Sequence, residues 1–84
     1  MDLRTAILTE HATARMAKRG ISSDTVRALL EGCESVTPVR LGRVVVQGVI
    51  GGQLLRVFVD VDRHPPEVVT VYSTSKIEKY RRSP

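Results

Sequence analysis

Apolar and polar positions recur along this chain with two different periods. Over the first third the spacing is helical. Residues 10–19 are mostly good helix formers, and Thr9 offers a side-chain oxygen to the free N–H groups of a first turn. Gly20 suits the left-handed position after a helix, which lets Ile21 fold back on Met16. Ser22 then caps a second helix, with Ile21 against Val26 and an apolar stripe at Val26, Leu29 and Leu30 that ends at Gly32.

Beyond that point the period shortens to two. Residues 33–39 read as a weak strand around Val36, limited to an edge or an irregular segment by Pro38, which has no N–H for a central ladder. Residues 43–50 and 53–61 read as strands rich in β-branched side chains, joined by the two-residue turn Gly51-Gly52. A loop over 62–66 leads to a strand over 67–73, and 75–82 reads as a short helix or a frayed end. A two-residue turn pairs Ile50 with Gln53, Gln47 with Arg56, Val45 with Phe58 and Arg43 with Asp60, and the opposite charges of the last pair favour this register. Alternation then gives a core face of Val44, Val46, Leu55, Val57, Val59 and Val61, matched by Val69 and Val71. Gln47, Leu54, Arg56, Phe58, Asp60, Thr70 and Tyr72 fall on the other face. The expected fold is α+β: two N-terminal helices on one face of a three- to four-stranded antiparallel sheet, with a short C-terminal helix.

Composition narrows the class. Eighty-four residues suit one domain, here 1–84, and 42% hydrophobic residues suit a globular one. Cys33 is the single cysteine, so no internal disulfide forms and a reducing compartment is allowed. No apolar run approaches the ~20 residues of a membrane span, and the start Met1-Asp2-Leu3-Arg4 does not read as a secretory signal. The expectation is a soluble, cytoplasmic protein with no membrane association. Ten of the 13 basic residues are Arg, in a net charge of +4. Arginine grips phosphate and carboxylate in a two-pronged fashion, which points to nucleic acid or an acidic protein. Two Tyr and one Phe do not make a broad base-stacking platform.

Two constellations carry candidate chemistry. His11, Arg15, Lys18 and Arg19 share one helix face, either a solvated surface or a phosphate-binding edge with His11 as the proton-transfer group. On the sheet, Arg56 is the cationic centre of a face with Gln47, Phe58, Thr70 and Tyr72, either solvent-facing or a shallow groove that takes a phosphate. Lys76, Lys79, Tyr80, Arg81 and Arg82 make a basic end, which could follow a nucleic-acid backbone or be simply solvated. Other chemistries are weakly supported. One Cys and two His give no zinc spacing, Asp60 and Asp62 have no third carboxylate nearby, and Gly51-Gly52 is a turn rather than a phosphate loop. His64 reads as a turn residue and Cys33 as a small buried hydrophobe. No metal or cofactor is expected.

The run His11-x3-Arg15-Met16-x2-Arg19-Gly20-Ile21-Ser22, followed by Val26, Leu30, Gly42-Arg43, Arg56-Val57 and Val69-Thr70-Val71-Tyr72, resembles a small bacterial domain family of unknown function over roughly residues 8–73. That family in turn resembles, more distantly, the RelE/BrnT-type toxin ribonucleases of toxin–antitoxin systems. The resemblance implies a RelE-like domain that cuts RNA without metal, on the ribosome or off it, and a cognate antitoxin as partner. His11, Arg15, Arg19, Thr70 and Tyr72 are the matching positions; Arg56 enters from the strand reading alone. On this reading His11, Arg15, Arg56 and Tyr72 are catalytic, while Lys18, Arg19, Thr70, Lys76, Tyr80 and Arg81 bind RNA. The alternative is a non-catalytic basic module that binds nucleic acid or an acidic protein. Fold alone does not choose between them.

Overall fold

The structure, a computed structural model, describes residues 3–81, with the side chains of Tyr80 and Arg81 left out. A single turn of 3-10 helix, Leu3–Thr5, precedes strand β1 (Ile7–Leu8). Helices α1 (Glu10–Arg19) and α2 (Ser23–Glu31) follow, then strands β2 (Ser35–Arg40), β3 (Arg43–Ile50), β4 (Gln53–Asp60) and β5 (Glu67–Thr74), and a short helix α3 (Ile77–Arg81).

Both helix starts use the expected caps. Thr9 accepts from the backbone N–H of Ala12, and Ser22 from that of Thr25. Gly20 takes the left-handed conformation at φ 68°, and the N–H of Ile21 reaches back to the Met16 carbonyl at 2.9 Å, so the chain reverses within two residues. The buried stripes of the two helices, Ala12 and Met16 on one and Val26, Leu29 and Leu30 on the other, cover the same sheet face. Beneath them lie Val44, Val46, Leu55, Val57, Val59, Val68 and Val71. Each such Val or Leu contributes about 1.5–3 kcal/mol by leaving water. Gly48 sits in the same layer. A Cβ there would stand 2.7 Å from Leu29 Cδ1, so the missing side chain lets α2 approach the sheet.

The β3–β4 hairpin has the expected register, from Ile50 opposite Gln53 to Arg43 opposite Asp60. Gly51 and Gly52 turn it with positive φ at both residues, the geometry that follows the strands' own twist. β2 is an edge strand, and its pairing with β3 shifts between Pro38 and Arg40, so both settings that Pro38 allows are present.

Two expectations need correction. The sheet is not an antiparallel one of three or four strands: it has five, in the order β1-β5-β4-β3-β2, and is mixed because β1 lies parallel to β5. Two residues are too few to show a period, so β1 left no pattern to read. Second, Val69 is not a core residue. The β4–β5 pairing shifts between Phe58 and Val59, so Phe58 faces Thr70 while Val59 faces Val68. The extra residue moves Val68 into the core and leaves Val69 half-buried outside it. The face away from the helices also buries apolar side chains: Leu54 is 0% and Val45 3% exposed there, outside the main core cluster.

Candidate functional site

β1 decides where α1 lies. Ile7 N–H donates to the Pro66 carbonyl at 2.8 Å and Thr9 N–H to that of Val68 at 3.3 Å. The Thr9 hydroxyl also donates to the Val68 carbonyl at 2.8 Å while its oxygen caps α1. The helix therefore starts at the sheet edge, anchored to β5. Farther along, Arg19 donates NH1 to the Val71 carbonyl at 2.7 Å, so the last turn is fastened to the same strand.

Between α1 and the outer face of the sheet lies an open groove of about 440 Å³ lined by His11, Arg15 and Arg19 from the helix and by Arg43, Val69, Thr70 and Tyr72 from the strands. His11, Arg15 and Arg19 succeed one another by about one turn, about 6 Å of rise each. Bringing His11 to Thr70 and Tyr72 required a helix at the sheet edge, and β1 supplies it. Arg15 makes no hydrogen bond or ion pair among the described residues.

Arg43 and Val69 are the lining residues that sequence reasoning does not name as site residues: alternation reads Val69 as core and Arg43 as the cross-strand partner of Asp60. Arg43 makes that pair, with Nε to Oδ1 at 2.6 Å and NH2 to Oδ2 at 3.2 Å, and it also borders the groove. The signal was available, since alternation places Arg43, Val45 and Gln47 on one face. The hydrogen bond from Arg43 holds the Asp60 carboxyl below its ordinary value against the opposing effect of burial. The same bond raises the Arg43 pKa, so the guanidinium stays charged.

Arg56 does not line the groove but supports it from behind. It donates NH1 to the Tyr72 hydroxyl and Nε to Gln47 Oε1 at 3.1 Å. Its guanidinium lies 5.6 Å from the Tyr72 ring centre and 5.5 Å from that of Phe58, and the two rings stack at 6.1 Å. Arg19 approaches Tyr72 from the helix side at 6.0 Å. Tyr72 is thus held between two arginines.

Lys18 and Lys76 are exposed and outside the groove lining. Tyr80 and Arg81 belong to α3, with their side chains outside the described residues, as is Arg82 altogether. Cys33 is half-buried against the core, and His64 is an exposed loop residue. Among the described residues no three His, Cys, Asp or Glu side chains gather as metal ligands, and no helix is long and apolar enough to cross a membrane.

A family model described as a domain of unknown function, DUF4258, matches residues 8–73. The chain belongs to the DUF4258 family. The matched span of this DUF4258 domain holds every residue that lines the groove and stops short of α3. No curated protein and no solved structure matches the chain.

Proposed function

We propose that this DUF4258 chain is a metal-independent endoribonuclease, with a RelE-like domain acting as the toxin of a toxin–antitoxin pair. One observation carries the reading: an exposed histidine and three arginines converge with a threonine and a tyrosine on one groove. Cleavage of RNA by its own 2′-hydroxyl needs those parts. The 2′-oxygen attacks phosphorus, the 5′-oxygen leaves, and the products are a cyclic phosphate and a 5′-hydroxyl end. His11 serves as the base that takes the 2′-proton or the acid that gives one to the leaving oxygen. Arg15 and Arg43 hold the phosphate and its developing charge. Arg43 does so through NH1, which takes no part in its two bonds to Asp60. Tyr72 offers a ring for a base and an O–H whose oxygen accepts from Arg56, which makes Arg56 a positioning residue. The cognate antitoxin would silence such a site by laying acidic or apolar surface over the groove.

The test is purified protein with RNA in EDTA. Products ending in a cyclic phosphate are expected, with a loss of about 10²–10⁴-fold in rate on His11→Ala. Expression should arrest growth, and the same variant should abolish the arrest. A second reading has its own support: among the described residues His11 is the only imidazole or carboxylic acid lining the groove, while the reaction needs both an acid and a base. If RNA binds in a salt-sensitive way without turnover, the chain is a binding module; an acidic protein that binds where RNA does not makes it an adaptor.

A further inference from the structure

A second cavity, of about 270 Å³, opens at the far end of α1 beside the β3–β4 turn. Its walls differ in kind from those of the first groove. Ile21, Ile50 and Leu55 are apolar, Gln53 and Ser73 add an amide and a hydroxyl, and among the described residues Arg19 is its only charged lining residue. Arg19 also lines the first groove, so one arginine borders both spaces. Its guanidinium is fixed by its bond to the Val71 carbonyl.

We infer that the second cavity is a nucleobase subsite, and that the chain takes a single RNA strand along the seam between α1 and β5. The inference rests on the RNA reading above and extends it. A phosphate needs cations, which the first groove supplies. A base needs apolar walls with a few hydrogen-bonding groups at its edge, which the second supplies. One turn of α1 separates Arg15 from Arg19, a step comparable with the distance between neighbouring phosphates on an extended strand. A phosphate at His11 and Arg15 therefore leaves the next nucleotide beside Arg19, with its base over Ile21 and Ile50. Duplex RNA does not suit this track: it is read across a wide minor-groove surface, whereas unstacked bases of single strands enter pockets.

The experiment measures binding of a short 2′-O-methyl RNA, which cannot be cut, and of the same oligomer with one internal base at a time removed. At one position, base removal should weaken binding about tenfold, the low end of what an unfilled partly apolar pocket costs. Ile50→Ala and Gln53→Ala, both on the hairpin end, should weaken the complete oligomer and leave the abasic one unchanged, the coupling expected of residues that touch the base. If all abasic oligomers bind as the complete one does, the base subsite is overturned while the RNA reading stands, and the cavity is open to a side chain of a protein partner. If duplex RNA binds as well as the single strand, the track is overturned. If no oligomer binds in a salt-dependent way, the RNA reading itself falls, and the subsite with it.

Discussion

Arg43 and Asp60 face each other across the β3–β4 pair and join by two hydrogen bonds, at 2.6 and 3.2 Å, with the aspartate side chain 11% exposed. The pair closes the open end of the hairpin and stands beside the groove. Its pH behaviour follows from the direction of the shift. The Asp60 carboxyl titrates below 3.8 when folded, chiefly through the Arg43 bond, so the unfolded chain binds the proton more readily. The stabilisation is complete above about pH 5 and is lost as pH falls through 3.8 and on through the lower folded value. Asp60→Asn should cost about 1–3 kcal/mol near neutral pH and flatten the acid limb of a stability–pH curve. Urea unfolding at a series of pH values checks both. An unchanged acid limb would show that the pair does not contribute.

Gly48 is the second point where one atom decides the packing. Gly48→Ala places a methyl group 2.7 Å from Leu29 Cδ1, on a side chain 2% exposed and hemmed in by the core. The expected cost is about 1–3 kcal/mol, the usual range for overpacking. Leu29→Val in the same chain should recover part of it, because the two sites share one volume. Denaturant midpoints of the two single variants and the double variant give the coupling. Strictly additive losses would mean that α2 shifts as a body instead.

These two sites also mark how far the sequence could be read. The Arg43–Asp60 register was legible because Gly51-Gly52 fixes a two-residue turn and opposite charges then fall into line. The helix caps were legible because Thr9, Gly20 and Ser22 act locally. What depended on distant pairing was not. The slip at Phe58 and Val59 exchanged Val69 for Val68 in the core, and nothing in the four β-branched positions Val68-Val69-Thr70-Val71 marks where a ladder will slip. The candidate site divided in the same way. Alternation alone put Arg56, Phe58, Thr70 and Tyr72 on one face, and helical spacing put His11 with Arg15 and Arg19. That the two sets meet depended on β1, a two-residue strand without a signal of its own.

Tyr72 separates stacking from hydrogen bonding. Tyr72→Phe keeps the ring against Phe58 and between Arg19 and Arg56, and removes only the hydroxyl that accepts from Arg56. If the O–H acts in the reaction, RNA cleavage should fall by about 10²-fold or more, while RNA affinity changes little. If the ring is the useful part, Tyr72→Phe should cleave as the natural chain does and Tyr72→Ala should lose affinity. Single-turnover cleavage and equilibrium binding, measured side by side, distinguish the two.

Arg15 tests whether the groove, rather than the net charge, holds the phosphate. Its side chain is exposed and has no partner among the described residues, so Arg15→Ala should leave stability within about 0.5 kcal/mol. Each phosphate contact on a single strand adds about 0.7 to the slope of log affinity against log salt. Arg15→Ala should therefore lower that slope by about 0.7 per phosphate it holds. Arg63 is the control: it removes the same charge, is exposed in the loop before β5 near Asp62 and Glu67, and does not line the groove. Arg63→Ala should leave the slope unchanged. Equal losses from the two variants would mean that RNA responds to the overall +4 charge and not to the groove beside His11.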